Sequence, residues 1–212
     1  NLIGFSKYWK QKIYFDFHTP TETISDFVWE IPGIHNVENA TVALAILHNL
    51  GVDFETLKKA IAGFKGIKRR YTKHIYPSGK IYIDDYAHHP TEINAVVSSI
   101  KTFYPDKKLL VVFQPHLFSR TRDFADGFAE SLSQSEELIL LDIYPARELQ
   151  ENFEGITSDW LLEKVTLDKK EISGLNQAFE KIKNKDFDIL LTVGAGNIDT
   201  LYDPICEWLS KK

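Results

Sequence analysis

Three short apolar runs in the second half of the chain constrain the fold more than any other feature. They are Leu109–Phe113, residues 138–143 and Ile189–Val193. A strand that is apolar along its whole length is buried on both faces, which is typical of a parallel sheet covered by helices on each side. Helical patterns, with apolar residues three and four positions apart, alternate with these runs. We therefore predict an α/β fold with a doubly wound, mostly parallel sheet.

Other elements of this alternation can be placed along the chain. Two strands at about 71–76 and 80–85 are joined by Pro-Ser-Gly, which predicts a hairpin. One helix is predicted to carry both Phe124 and Phe128, and another to open at Gly194-Ala-Gly196. A weak strand is predicted near Val165.

The first 32 residues have a different pattern. Ile13, Phe15 and Phe17 alternate with polar or aromatic neighbours as in a strand, and a second short run covers 24–31. Two strands without a helix to cover them do not make a core. We therefore predict that residues 1–32 are a linker or the strand-rich end of a preceding domain, and that residues 33–212 form the main domain. The chain contains no methionine, so we expect it to be a fragment of a longer protein.

Composition excludes several classes of function. The formal net charge is −5, so the chain lacks the basic footprint of a nucleic-acid-binding protein. No apolar run has the length of a membrane span, and the first residues do not resemble a signal peptide. Cys206 is the only cysteine, which fits a reducing compartment and predicts a cytoplasmic location.

Polar side chains collect where the predicted strands end, at residues 84–89, 114–122, 142–148 and 194–197. The carboxyl ends of parallel strands share one edge of a sheet, which is the usual ligand position of an open α/β fold. The segment 80–92, KIYIDDYAHHPTE, is the richest of them, with carboxylates, a phenol and imidazoles at the joint between a strand and a helix. The alternative for this segment is a polar turn without a function. Four polar clusters at one edge are harder to explain in that way than any one of them.

Arg120 and Arg122 follow the predicted strand Leu109–Phe113, in the sequence QPHLFSRTRD. Ser119 or Thr121 could cap the helix that begins here, which would leave both arginines at its positive end. Cations at that end are unfavourable unless an anion binds between them and the free backbone amides. The alternative is that one arginine pairs with Asp123 or another surface acid.

Three further patterns leave alternatives open. Asn36 and Asn39 lie one helical turn apart and could either bind an adenine edge or cap a helix. Gly194-Ala-Gly196 allows a close backbone approach to a ligand, but it lacks the third glycine of a dinucleotide fingerprint. The histidines have neither the helical spacing nor the paired thiolates of a strong metal motif, so we predict no protein-built transition-metal site. The chain contains no phosphate-binding P-loop sequence.

Six motifs occur in the order found in one enzyme family: PGIHNVENA, FKGIKRRY, DDYAHHPTE, FQPHLFSRTRDF, DIYPARE and GAGNI. Through them, residues 31–200 resemble the Rossmann-like C-terminal domain of the Mur ligases, most closely of the members that join L-alanine to UDP-N-acetylmuramate. Residues 1–30 resemble the end of the central, ATP-binding domain of the same family.

The resemblance implies a reaction in peptidoglycan precursor synthesis. ATP phosphorylates the lactyl carboxylate of UDP-N-acetylmuramate, and the amine of L-alanine attacks the resulting acyl phosphate. The implied partners are these substrates and the protein's own N-terminal and central domains, with no nucleic acid and no membrane. Mg²⁺ belongs to the ATP chemistry of the family, with its ligands mostly in the central domain. This chain alone is therefore expected to be inactive.

The resemblance also implies roles for particular residues. The implied adenine-side contacts are His35, Asn36 and Asn39, and the implied ribose contacts are Arg70 and Asp85. The implied catalytic residues, at the site of the amino acid and the intermediate, are Tyr86, His88, His116 and Arg120. Arg120 would hold the alanine carboxylate. Many relatives carry a basic residue in place of Leu117, which leaves Arg122 as the neighbour that could share this carboxylate.

Three competing interpretations remain. The muropeptide-recycling ligase of the same family attaches a tripeptide and has a similar strand-to-helix segment, but it usually lacks the QPHxxSRTRD sequence. A non-catalytic module that binds a nucleotide or an amino acid would not need Tyr86, His88, His116 and Arg120 together. A purely structural interaction domain would leave all the polar clusters without a purpose.

Overall fold

The structure is a computed structural model that describes residues 3–9, 12–31 and 33–211, without the side chains of residues 3–9 and 35. It divides into two compact units, Asn1–Gly66 and Ile67–Lys212.

In the described part of the first unit, three antiparallel strands pack with two helices. The strands are β1 (Ile3–Trp9), β2 (Lys12–His18) and β3 (Thr23–Trp29), and the helices are α1 (Ile34–Asn49) and α2 (Phe54–Gly63). Phe15 and Phe17 on β2 are buried, as the alternation predicts. The Phe17 ring lies 6.5 Å from that of Phe54 at the start of α2.

The boundary between the compact units lies between residues 66 and 67, whereas the predicted domain boundary lies between 32 and 33. The difference arises because α2 packs against β3. The ring of Phe64, directly after α2, stacks on the ring of Trp29 in β3 with 5.5 Å between the centroids. The strands therefore do have helices to bury them, and strand β1 was not predicted at all. The assignment of residues 1–32 to a preceding domain stays a prediction.

The second unit, described without a gap over residues 67–211, contains a six-stranded sheet in the order β4-β5-β9-β6-β7-β8. The strands are β4 (Thr72–Ile75), β5 (Ile81–Asp85), β6 (Leu109–Phe113), β7 (Glu137–Leu141), β8 (Lys170–Ser173) and β9 (Ile189–Val193). Only β4 is antiparallel, and every residue of β5, β6 and β9 is buried. The predicted doubly wound, mostly parallel α/β fold is confirmed.

Six helices accompany these strands within residues 67–211, five of them between successive strands and the last one after β9. They are α3 (Pro90–Phe103), α4 (Phe118–Asp123), α5 (Ala125–Leu132), α6 (Ser158–Lys164), α7 (Leu175–Lys183) and α8 (Tyr202–Ser210). None of the described helices is both long enough and apolar enough to cross a membrane.

Three predicted elements need correction. The helix expected to carry both Phe124 and Phe128 breaks at Phe124, whose φ of −121° separates α4 from α5. The strand expected near Val165 is wrong, because Val165 ends α6 and the strand runs over Lys170–Ser173. The last helix does not open directly at the glycines, since a 3₁₀ turn over Asn197–Leu201 precedes α8.

The last strand in sequence, β9, lies between β5 and β6. Because these three strands are parallel, the loops that follow them leave the sheet side by side. This arrangement positions the candidate site.

Candidate functional site

The four polar clusters follow β5, β6, β7 and β9, which are parallel to one another, so they share one edge of the sheet as predicted. The loops after β6 and β7 are also joined by a bridge between His116 and Tyr144. The amide of Leu117 donates to the carbonyl of Tyr144 at 2.9 Å, and the amide of Tyr144 donates to the carbonyl of Pro115 at 2.8 Å.

Four rings from these loops form a continuous row, which we call the ring row: Tyr86, His88, His116 and Tyr144. The centroids of Tyr86 and His88 are 5.3 Å apart, and those of His88 and His116 are 6.3 Å apart. His116 stacks on Tyr144 at 5.6 Å with an angle of 17° between the ring planes. The structure therefore brings together the three rings that the sequence singled out and adds Tyr144.

Guanidinium groups lie at two places along the ring row. Arg69 and Arg70 lie over the Tyr86 ring, at 4.9 and 5.8 Å from its centroid. Further along the row, Nη1 of Arg120 lies 3.4 Å from Nδ1 of His116. Cationic groups flanking polar rings suit a ligand with anionic parts, such as a carboxylate or a phosphate.

The two histidines present different ring nitrogens for further bonding. Nδ1 of His88 lies 3.0 Å from the carbonyl oxygen of Tyr86, which can only accept, so a neutral His88 carries its proton on Nδ1 and has a lone pair on Nε2. Arg120 can only donate to Nδ1 of His116, so a neutral His116 carries its proton on Nε2. Burial, the charge of Arg120 and the proximity of His88 lower the pKa of His116, which favours its neutral form.

His89 and Pro90 shape the start of α3, as predicted. The ring of His89 accepts from the amide of Thr91 at 3.4 Å, and Pro90 occupies the first turn of the helix. Glu92 completes the capping box by accepting from the amides of His88 and His89 at 2.9 and 3.2 Å. This carboxylate thus fixes the backbone that carries His88.

Asp84 and Asp85, the last two residues of β5, are both buried. Asp85 accepts backbone hydrogen bonds from Tyr71 at 2.7 Å and from Ala87 at 2.8 Å, while desolvation raises its pKa to about 6. Desolvation also raises the pKa of Asp84, which accepts from Thr192 at 2.7 Å. Since each oxygen of Asp85 already has a backbone donor, its implied contact with a ribose stays a prediction.

Helix α4 is capped by a residue distant in sequence. The prediction that Ser119 or Thr121 caps this helix is wrong, because both lie inside the helix and Leu117 stands at the cap position without a side-chain bond. The carboxylate of Glu148 instead accepts from the amide of Ser119 at 3.0 Å and from its hydroxyl. This amide is therefore not free for an external anion, and the predicted anion site between the arginines stays a prediction. Arg120 keeps its position beside His116.

Arg122 is half exposed and donates to Asp123 at 2.8 Å, which is the alternative that the sequence left open for one of the two arginines. It also lies 5.5 Å from the Phe153 ring centroid. No described contact joins it to the ring row, so its role in substrate binding stays a prediction.

The two glycines after β9 allow close packing against neighbouring loops. A Cβ on Gly194, which has a φ of +145°, would lie 2.6 Å from the carbonyl oxygen of Gln114. A Cβ on Gly196 would lie 2.8 Å from Cβ of Tyr144 and would collide with the side-chain oxygen of Gln114. That oxygen accepts from the amide of Ile198 at 2.9 Å. Gly196 therefore serves the placement of Tyr144 and Gln114.

The implied adenine contacts belong to the first unit. Asn36 and Asn39 lie one turn apart on α1, and the side chain of His35 lies outside the described residues. Gly33 stands at the cap position of α1 without a side-chain bond, so the capping interpretation of the asparagines is wrong. Among the described residues, no group of three or more His, Cys, Asp or Glu side chains is arranged to hold a metal ion.

The polar stretches 80–92 and 142–148 are visible in the sequence, but the pattern does not single out Glu92, Tyr144 or Glu148 within them, and it assigns no role to Arg69. Each lies within one of the six family motifs, and that membership could have marked it as a candidate. What distinguishes them from their neighbours is backbone geometry and long-range contact, neither of which is visible in the pattern.

Comparisons with known proteins identify the family to which this chain is related. Residues 69–196, more than half of the chain, match the family described as Mur ligase, glutamate ligase domain. UDP-N-acetylmuramate–L-alanine ligases from Flavobacterium psychrophilum and Flavobacterium johnsoniae are each 50% identical over 93% of this chain. The solved UDP-N-acetylmuramate–alanine ligase from Thermotoga maritima covers 99% of the chain, with a TM-score of 0.79 and 23% identity, and supports the fold.

This chain spans only part of the length of these proteins, namely 44% and 43% of the two Flavobacterium enzymes and 46% of the Thermotoga structure. The family match covers β5 to β9 together with the ring row and the arginines beside it, Arg69, Arg70 and Arg120. The chain therefore belongs to the Mur ligase family and contains its glutamate ligase domain.

Proposed function

We propose that this chain is the acceptor-binding part of an ATP-dependent ligase that forms an amide between L-alanine and UDP-N-acetylmuramate. The observation that carries the proposal is 50% identity over 93% of the chain to relatives named as that ligase. The geometry is compatible with it, because an amino acid offers a carboxylate for a guanidinium and an amine for a neutral imidazole.

Arg120 is the group that we assign to the alanine carboxylate. It stands beside His116 in the ring row, and guanidinium groups bind carboxylates through two parallel hydrogen bonds. His116 would donate from Nε2 to the same carboxylate or to an oxygen of the tetrahedral intermediate. The lowered pKa of His116 keeps the ring neutral near pH 7, so it can donate there without adding a charge.

His88 is the group that we assign to the amine. Its Nε2 carries the lone pair when Nδ1 is protonated towards the Tyr86 carbonyl, so it can accept a hydrogen bond or a proton from an ammonium group. An amine must lose a proton before it can attack an acyl phosphate. The Tyr86 ring, held between His88 and the arginines, would form the wall between the amino acid and the nucleotide.

We assign the ribose and phosphates of the nucleotide to the Tyr86 end of the ring row. Arg70 is exposed and lies over Tyr86, so its guanidinium is accessible to ribose or phosphate oxygens. We propose that Asp85 acts on the ribose. For the first unit, taken by itself, we propose Asn36, Asn39 and His35 as adenine contacts. No group of three or more His, Cys, Asp or Glu side chains within the described part of the chain is arranged to hold a metal ion, and we assign no step to an ion held by this chain.

The rest of the reaction needs partners outside this sequence. We propose that further domains of the same protein supply the phosphate cradle and the UDP-sugar site, and that closure over them excludes water from the acyl phosphate. Use of ATP and the single cysteine are consistent with action in the cytoplasm.

The test is an acceptor panel on the full-length protein with UDP-N-acetylmuramate and ATP. We expect product formation with L-alanine at a kcat/KM at least about tenfold above that with glycine or L-serine, since one methyl group or hydroxyl changes binding by 1–3 kcal/mol. Preference for the tripeptide acceptor would favour the muropeptide-recycling function instead. Binding of ATP and amino acid without amide formation would favour a non-catalytic module and refute the proposal.

A further inference from the structure

Arg69 is far less accessible than its neighbour Arg70, with 14% of its side chain exposed. Its Nη2 donates to the carbonyl of Gly194 at 2.5 Å, on the loop after β9. Its Nε forms an ion pair with Asp84 at 3.6 Å, and its Nη1 forms another with Asp199 at 3.6 Å. The same guanidinium covers the Tyr86 ring at 4.9 Å. One side chain thus connects β5, the loop after β9 and the ring row.

The backbone explains why the two adjacent arginines behave differently. Arg69 and Tyr71 both have a positive φ, of 60° and 52°, on either side of Arg70. Such angles are costly for residues other than glycine, so they persist only where neighbouring bonds impose them. Here the carbonyl of Arg69 accepts from the amide of Tyr86 at 2.8 Å, and the amide of Tyr71 donates to Asp85 at 2.7 Å.

The counter-charge of Arg69 is itself held in place. Asp84 is 1% exposed and accepts from the hydroxyl of Thr192 on β9 at 2.7 Å. Tyr82, which is fully buried, lies 2.8 Å from the same hydroxyl through its own oxygen. A buried chain of polar groups therefore runs from the interior of the sheet to the guanidinium. Because these hydrogen bonds hold Asp84 in place, they also hold the guanidinium of Arg69, against which the Tyr86 ring packs.

We propose that Arg69 is a positioning residue, which sets the Tyr86 ring and the loop after β9 relative to each other and leaves Arg70 to bind the ligand. The inference rests on the proposed ligase function for its kinetic readout. Lysine cannot replace it, because a single ammonium group cannot contact Gly194, Asp84 and Asp199 while covering the ring. A residue that merely stabilised the fold would change the amount of folded enzyme and not the rate of each folded molecule.

The experiment compares Arg69→Lys with Lys68→Ala in the full-length protein. Lys68 is an exposed cation in the same turn, lying over the ring of Tyr202, and serves as the matched control. For Arg69→Lys we expect kcat per folded molecule to fall roughly 10- to 100-fold, as for a small misplacement of reacting groups. We expect KM for ATP to change little, and amide hydrogen exchange at Tyr86 and Gly194 to become faster. Millimolar guanidinium should restore part of the activity of Arg69→Ala.

The outcomes separate this inference from the proposed function. If Arg69→Lys keeps the wild-type kcat per folded molecule and the wild-type exchange rates, Arg69 is not a positioning residue. If the wild-type protein does not ligate L-alanine, the proposed function fails, while exchange at Tyr86 and Gly194 still decides the role of Arg69. Should Arg69→Lys fail to fold, Asp84→Asn removes only the counter-charge. It is expected to change kcat in the same direction, and an unchanged kcat and exchange would overturn the inference.

Discussion

Removal of Arg120 should weaken binding of the acceptor amino acid and also change the titration of His116. Nη1 of Arg120 lies 3.4 Å from Nδ1 of His116, and its charge is one of the causes that lower the pKa of this ring. A hydrogen bond to a charged group contributes about 1.5–3 kcal/mol, so Arg120→Ala should raise KM for L-alanine by roughly 10- to 150-fold.

The direction of the pKa change follows from the same contact. Without the neighbouring positive charge, protonation of His116 becomes easier, so its pKa should rise towards its ordinary value of 6.5 while burial still holds it below that value. Arg120→Lys keeps the charge but loses the planar fork. We therefore expect it to raise KM for L-alanine while leaving the pKa of His116 nearly unchanged.

The assay is initial-rate kinetics on the full-length enzyme at varied L-alanine, combined with NMR titration of labelled histidines in which His116→Gln assigns the signal. Arg147→Ala, which removes an exposed arginine from the loop after β7, is the matched control. The reasoning is refuted if Arg120→Ala leaves both KM for L-alanine and the pKa of His116 at their wild-type values.

Three further predictions concern stability and packing. The pKa of Asp85 is about 6 in the folded chain, compared with an ordinary value of 3.8, so the folded state binds the carboxyl proton more tightly than the unfolded state does. The free energy of unfolding should therefore fall by about 3 kcal/mol as pH rises from about 4 to above 6. Asp85→Asn should abolish that part of the slope in urea unfolding at a series of pH values, and an unchanged slope would contradict it. Gly196→Ala should displace Tyr144 and lower both stability and ligation, whereas Gly63→Ala, with open space around the new methyl group, should be nearly neutral in the same assays. Leu117→Gly should stabilise the chain by about 1 kcal/mol, because the φ of +71° is costly for leucine; clear destabilisation in a denaturant titration would show that its side-chain contacts matter more.

The sequence predicted the sheet well because burial on both faces leaves a direct mark in the residue pattern. The runs that form β6 and β9 match their predicted bounds, and the carboxyl ends gather the polar clusters as parallel strands require. Val165 was misassigned because a single apolar residue that closes a helix resembles the start of a short strand.

The candidate site was only partly predictable, because its details depend on contacts between distant residues. Glu148 lies 29 positions from Ser119, and no local pattern identifies it as the cap of α4. Arg69 and Arg70 are adjacent residues of the same type, so the sequence does not distinguish them. The backbone angles decide which of the two side chains is buried. Local rules worked where the contact itself is local, as at His89, which caps the helix that begins one residue later.

The most direct test of the account is a crystal structure of the full-length protein with UDP-N-acetylmuramate, a non-hydrolysable ATP analogue and L-alanine. We expect the alanine carboxylate at about 2.7–2.9 Å from the guanidinium of Arg120, the distance of a charge-assisted hydrogen bond. We also expect the amine within hydrogen-bonding distance of Nε2 of His88. Alanine bound away from the ring row, or held there without Arg120, would contradict the account.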